Sequence, residues 1–361
     1  MEDKKQKSSD HGHNDEFSIG KSAQERGLPY IPDCYLIPPS QRPDENTTET
    51  SKDVPVIDIS GLRSTPHERS LVVKDIGVAC RQKGFFQIIN HGISQSVLDE
   101  AITAASTFFE LPNKYKQEFM SNDVAKPVRY GTGLKDGCDV VQFWRIFLKH
   151  YAHPLEKWIQ YWPLNPPEYR EKMAHYAVDV RNVAMEVMGA ITESLGLGNS
   201  YMSEKLEDGM QVMAVNCYPP CPQPDRVLGL PPHTDYSCIT ILLQTGQGLQ
   251  VISTNEEEWR LIPDDHGVLH VHVGDFLEVL SNGLYKSVLH RATLNSEKTR
   301  YSIASLHSLG MDEKVETAKE LVDEHHPKGY KGSSFRDFLK FLSTNDIAEG
   351  SSFIENLKIK S

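Results

Sequence analysis

The sequence predicts a mostly β core flanked by helices, and a change of period along the chain is what predicts it. Before residue 209, apolar residues recur at helical spacing in several long stretches. From 209 to about 308, short apolar runs alternate with Gly, Pro, Asn and Asp, at 211–218, 237–243, 248–252, 268–273, 276–280, 286–291 and 300–306. The helical period then returns in Phe335, Phe338, Leu339 and Leu342. Short strands at such spacing build a sandwich, a jelly roll or a small barrel.

Taken in order, residues 1–25 are polar and aperiodic, the composition of a disordered tail. His11 and His13 lie there with nothing nearby to complete a metal site. Five prolines between Pro29 and Pro43 predict an extended arm wrapping the body. Val54-Pro55-Val56-Ile57-Asp58-Ile59 reads as a short strand. Leu71, Val72, Ile76, Ala79 and Cys80 form a helical stripe that stops at Gly84, a C-terminal cap. Phe85–Asn90 suits a buried strand. A second helix carries Leu98, Ala101, Ile102, Ala105, Phe108 and Phe109 on one face and ends before Pro112. The longest helix runs from about Pro167 to Leu195, with proline near its first turn. The expected organisation is a tail at 1–25, a helical and mixed region at 26–208, a β domain at 209–310, and a helical segment at 311–361 that closes on a polar tail.

At 361 residues and 39% hydrophobic, the chain can bury a substantial core. Its net charge of -12 argues against nucleic acid or an anionic membrane as partner, because both call for basic clusters. No run of about 18 apolar residues exists to span a bilayer. The first residues carry no secretory pattern, and Cys34, Cys80, Cys138, Cys217, Cys221 and Cys238 include no Cys-x-x-Cys pair. These features predict a reducing, cytoplasmic setting, with the nucleus left open, and since nothing in them suggests an obligate assembly, a monomer is expected; the acidic balance says little about a small-molecule substrate.

The chemistry concentrates in Pro231-Pro232-His233-Thr234-Asp235-Tyr236. In a strand, side chains two apart point the same way, so His233 and Asp235 can grip one ion. Two imidazoles and one carboxylate suit Fe(II) and leave positions open for a chelating cosubstrate and dioxygen. A His-x-Asp recurs by chance, so a third ligand must decide. His290 lies 55 residues after Asp235 in a second β-type segment. His270 and His272 also sit two apart, but no carboxylate shares their face, and they read as core histidines. His266, His325 and His326 read as solvated, while His307 is left able to reach a pocket. Ten residues past His290, Arg300 and Ser302 share a strand face. Guanidinium and hydroxyl together suit the far carboxylate of a dicarboxylic cosubstrate.

Further segments join this order: Val54-Pro55-Val56-Ile57-Asp58, Gly84-Phe85-Phe86-Gln87 through Asn90-His91-Gly92, Asn216-Cys217-Tyr218-Pro219-Pro220-Cys221-Pro222, Gly274-Asp275, and Ser281-Asn282-Gly283. With them, the chain from about Leu28 to Leu342 resembles the plant 2-oxoglutarate- and Fe(II)-dependent dioxygenases. That family includes flavanone 3-hydroxylase, anthocyanidin synthase and the gibberellin and jasmonate oxidases. The resemblance implies a double-stranded β-helix, or jelly roll, wrapped by N- and C-terminal helices. It implies His233, Asp235 and His290 as iron ligands, Arg300 and Ser302 as the 2-oxoglutarate clamp, and Asn216 and Tyr218 as further cosubstrate contacts. By family position, Phe143 and Leu306 line the substrate cavity. O2 is the co-reactant, with ascorbate in support.

The expected activity is hydroxylation or desaturation of a small hydrophobic plant metabolite, hormone-like or specialised. Asp235 fills the position that halogenation would need open. Two alternatives stay in view: an iron oxidase of the same fold that does not use 2-oxoglutarate, and a non-catalytic binding protein. The chain departs from the family in two places. His272 stands where Asn is common, and Leu306-His307-Ser308 lacks the aromatic that often follows Arg-x-Ser in flavonoid enzymes. The second departure argues against a flat flavonoid substrate.

Overall fold

The computed structural model describes residues 22–43, 50–132, 141–252, 258–345 and 352–360. His11, His13 and Cys138 lie outside them. The strands are β1 Val56–Asp58, β2 Phe85–Ile89, β3 Val128–Gly131, β4 Ile146–His153, β5 Met210–Tyr218, β6 Leu230–His233, β7 Ile239–Gln244, β8 Leu249–Ile252, β9 Arg260–Leu261, β10 Leu269–Val273, β11 Leu289–Ala292 and β12 Arg300–Ser308. Eight pair in the order β1-β2-β10-β7-β12-β5-β4-β3, and four in the order β6-β11-β8-β9. All pairs are antiparallel except β1 with β2. The two sheets enclose a cavity lined from both, which is the jelly-roll core.

Local chemistry places the helices. Thr65 and Glu68 form a reciprocal capping box that starts helix Pro66–Gln82, with proline in its first turn. Gly84, at φ +73°, ends that segment by donating its amide to the Ala79 carbonyl. Ser94 caps helix Gln95–Glu110. Both pack on the long helix Tyr169–Ser194, whose inner face from Met173 to Ile191 is fully buried. This layer backs the larger sheet and leaves the sheet's other face free to line the cavity.

Several expectations change. Ser22, Ala23 and Gln24 are buried rather than part of a tail, and the Gln24 amide donates to the Arg145 carbonyl at 2.9 Å. The proline-rich arm is broken by short 3-10 turns at Asp33–Tyr35 and Pro39–Gln41, and Tyr35 packs edge-on against Trp144. The run at 276–280 is helix, Asp275–Leu280, and all six of its residues are buried. An element buried on every side shows neither period, so the run reads like a core strand. Strand β4 escapes pattern reading because Lys149 and His150 interrupt its apolar run. The polar end is also structured: Phe353, Ile354 and Leu357 of a short helix are buried in the main core.

Candidate active site

His233 and His290, far apart in sequence, are register partners on the paired strands β6 and β11. Their rings lie 4.2 Å apart. Strand β6 stops at His233, so Asp235 does not share a strand face with it; it sits in the turn beyond. That turn is held by backbone bonds: the Asp275 amide donates to the Asp235 carbonyl at 2.8 Å, and the Gly274 amide to Cys238 at 3.0 Å. Gly274 is required by space, since a Cβ there would fall 2.0 Å from the Ser237 carbonyl oxygen. Asp235 Oδ1 consequently lies 3.7 Å from His233 Nε2 and 3.9 Å from His290 Nε2. One ligand atom from each residue can be chosen so that all three lie within 4.8 Å of one another.

The tautomers suit metal binding. His233 Nδ1 meets the Pro231 carbonyl at 2.8 Å, and His290 Nδ1 meets the Val288 carbonyl at 3.1 Å. A carbonyl can only accept, so each Nδ1 carries the proton and each Nε2 offers its lone pair. Burial first, and His290 second, depress the His233 imidazole to about 4, which keeps it neutral. Burial alone would raise Asp235, but the pull of His290, His233 and His272 outweighs it and holds the carboxyl below its ordinary range. Neutral imidazoles beside an ionised carboxylate are the protonation states a divalent ion needs.

A second set of groups lines the deeper cavity of about 140 Å³ between the sheets. Register brings Arg300 opposite Tyr218 and Ser302 opposite Asn216. Ser302 Oγ accepts from Asn216 Nδ2 at 3.3 Å. Arg300 is 4% exposed, donates Nη2 to Gln244 Oε1 at 2.6 Å and Nε to Gly246 at 3.2 Å, and lies 5.0 Å over the Tyr218 ring. Its Nη1 is buried with no hydrogen-bond partner. A carboxylate in the cavity would satisfy that nitrogen, so the residues present fit a dicarboxylic cosubstrate.

Other predicted residues fall differently. Leu306 lines both this cavity and a larger one of about 380 Å³ that shares His233 and Asp235 with it. Phe143 lines neither; it precedes β4 and packs with Ile37 and Leu228, and Phe147 on the strand takes the wall position. His270 and His272 are buried, but His272 Nδ1 lies 4.0 Å from Asp235 Oδ2, so a carboxylate does face His272. His307 is buried and bonded to Ser305 Oγ at 2.9 Å, away from both cavities. Cys217 and Cys221 are buried thiols, while His266, His325 and His326 are exposed.

Sequence reasoning missed Gln244, which orients Arg300, and it missed the aromatic cover. Tyr236, next to Asp235, stacks against both Phe335 and Phe338, at 4.5 and 4.4 Å. Phe335, Phe338 and Phe147 all line the larger cavity, so it has aromatic partners drawn from distant segments. The lack of an aromatic after Ser302 therefore no longer argues against a flat ring.

The chain belongs to the 2-oxoglutarate/Fe(II) oxygenase superfamily. The family described as "2OG-Fe(II) oxygenase superfamily" matches residues 209–308, and "non-haem dioxygenase in morphine synthesis N-terminal" matches 54–169. Flavanone 3-dioxygenase 3 of Oryza sativa subsp. japonica is 52% identical over 307 residues, which span 85% of this chain and 93% of the relative. 2-oxoglutarate-dependent dioxygenase 21, chloroplastic, of the same organism is 48% identical over 344 residues, 95% and 97% of the two chains. The crystal structure of JOX2 in complex with 2OG, Fe and JA superposes with a TM-score of 0.81 at 30% identity, covering 93% of this chain and 96% of that one. The protein is an oxidoreductase that uses Fe(II), 2-oxoglutarate and O2, which sets aside both a cosubstrate-free oxidase and a non-catalytic role.

Proposed function

We propose that His233, Asp235 and His290 hold the Fe(II), that Arg300 and Ser302 hold the far carboxylate of 2-oxoglutarate with Asn216 and Tyr218 as further cosubstrate contacts, and that the protein hydroxylates or desaturates a small hydrophobic plant metabolite. The observation that supports this most is the pair of adjoining cavities. One holds the orphaned Arg300 nitrogen, the other is broad and apolar, and both are lined by His233, Asp235 and Leu306. The names of relatives, a flavanone dioxygenase and an oxygenase crystallised with JA, support a small organic substrate.

Bound Fe(II) with 2-oxoglutarate supplies O2 activation, coupled to decarboxylation of the cosubstrate to succinate and carbon dioxide. The chain supplies position and dryness. His233 and His290, fixed through Nδ1 by their backbone carbonyls, present Nε2 without a proton to lose first. Asp235 brings the one carboxylate charge. Arg300 sets the cosubstrate's depth, since Gln244 and Gly246 fix its fork. Leu306 lies at the boundary of the two cavities, where it can steer the substrate's reacting carbon. Tyr236, Phe335 and Phe338 cover the site and exclude bulk water.

Succinate release tested over hormones, terpenoids, phenolics and alkaloids, with product identified by mass, checks the reading. One class should stimulate release stoichiometrically with an oxidised product. Substrate-independent release across every class would remove the metabolite assignment. We also propose a monomeric, cytoplasmic protein, a reading supported by the dispersed cysteines; light scattering and a fluorescent fusion test it.

A further inference from the structure

The two carboxylate oxygens of Asp235 face different neighbours. Oδ1 lies 3.7 Å from His233 Nε2 and 3.9 Å from His290 Nε2, so it faces the His-Asp-His set. Oδ2 faces the larger sheet, where His272 Nδ1 stands 4.0 Å away. His272 lies on β10 and is the register partner of Thr240 on β7. Side chains paired in this way on antiparallel strands share one face of the sheet, and both of these line the deeper cavity. The Thr240 side chain is hydrogen-bonded to the Asp235 carboxylate. Asp235 therefore lies over a cross-strand pair of one hydroxyl and one imidazole.

Packing alone does not account for that imidazole. His272 is 1% exposed, and neither ring nitrogen has a hydrogen-bond partner among the described residues. A buried polar group left unpaired is costly, and an apolar side chain would fill the position without that cost. The ring also meets the His290 ring edge-on, with centroids 4.7 Å apart. It borders two of the three ligand side chains, yet among the described residues the set able to hold one ion is His233, Asp235 and His290. His272 stands behind the ligands and not among them. A carboxylate oxygen can only accept, so a bond between Nδ1 and Oδ2 must carry its proton on Nδ1.

We propose that His272 is a positioning residue for the metal set: its Nδ1–H holds Asp235 Oδ2, so that the carboxylate meets the metal through Oδ1 alone. This rests on the reading that His233, Asp235 and His290 hold the Fe(II). A carboxylate can take one coordination position or two. An Oδ2 free to turn onto the metal would occupy a position that the chelating cosubstrate needs. The 4.0 Å separation exceeds the usual hydrogen-bond reach of about 3.2 Å, so a movement of about 1 Å makes the bond.

The test is anaerobic equilibrium dialysis of Fe(II) against full-length wild type, His272→Phe, His272→Asn and Asp235→Ala. Titration of 2-oxoglutarate into each loaded protein follows, read by the visible charge-transfer absorption of the Fe(II) chelate. Phenylalanine keeps a ring against His290 but has no N–H, whereas asparagine can place an amide N–H close to where Nδ1 stands. His272→Phe should bind Fe(II) about tenfold or more weakly, the usual scale for losing a hydrogen bond to a metal ligand. It should also need severalfold more 2-oxoglutarate to develop the absorption, and His272→Asn should recover most of both. Wild-type behaviour in His272→Phe overturns the proposal. So does an asparagine variant as impaired as the phenylalanine one, which would mark a packing role. Loss of Fe(II) as complete as in Asp235→Ala also overturns it, because His272 would then be a ligand. Thermal melts identify a variant that does not fold, and His272→Leu replaces His272→Phe if the larger ring is not accommodated. Wild type that binds no Fe(II), or Asp235→Ala that binds it normally, instead overturns the metal assignment on which the proposal rests.

Discussion

Replacing Arg300 by methionine removes a buried guanidinium while keeping much of the side chain's bulk. In the wild type, Nη2 and Nε are committed to Gln244 and Gly246, and Nη1 has no protein partner. If Nη1 serves the far carboxylate of 2-oxoglutarate, the variant loses a charge-assisted hydrogen bond of about 1.5–3 kcal/mol, or roughly 10- to 150-fold in cosubstrate affinity. It also leaves two acceptors short of a donor, so stability should fall by about 1–3 kcal/mol. The assay is anaerobic titration of 2-oxoglutarate into Fe(II)-loaded protein, with a urea melt alongside. Arg300→Lys keeps the charge but not the fork, and should fall between the two. A variant that is destabilised as expected but binds 2-oxoglutarate with wild-type affinity would show that Arg300 is structural, and would refute the reasoning.

Other perturbations have equally definite outcomes. Gly274→Ala forces a Cβ into the Ser237 carbonyl, beside the turn that carries Asp235; it should cost about 1–3 kcal/mol of stability and weaken Fe(II) binding about tenfold or more. Wild-type metal affinity in a folded variant would contradict that account of the turn. Phe338→Ala removes one partner of the Tyr236 ring; a half-buried ring of this kind should cost about 2 kcal/mol in denaturant, and the ratio of succinate to oxidised product should rise as water enters.

The legible parts of the molecule are those whose residues carry chemistry in a fixed order. Helices Pro66–Gln82 and Gln95–Glu110 were visible because one face is apolar and the ends are capped by Thr65, Ser94 and Gly84. The donors His233, Asp235 and His290 were visible as residue types, yet the geometry assumed for them was partly wrong. Asp235 is aimed by Gly274 and Asp275 rather than by a shared strand, and nothing in a His-x-Asp pattern announces a tertiary support 39 residues away. Helix Asp275–Leu280 was hidden because burial on all sides erases its period. The cavity walls were the least legible. Phe335 and Phe338 read as an ordinary amphipathic helix, and Arg129, Arg145 and Lys149 belong to no motif in the sequence. Arg129 and Lys149 are brought opposite each other by the pairing of β3 with β4, which a single chain pattern does not contain.

The central claim is that one Fe(II) is held by three side chains of this chain and that its loss abolishes turnover without unfolding the protein. Anaerobic equilibrium dialysis of Fe(II) against wild type and Asp235→Ala, each checked by circular dichroism, tests it directly. The account predicts a single tight Fe(II) per wild-type chain, and at most weak binding in a variant whose spectrum is unchanged, because removing the carboxylate deletes the one anionic ligand of the set. A folded Asp235→Ala that keeps Fe(II) with wild-type affinity would contradict it.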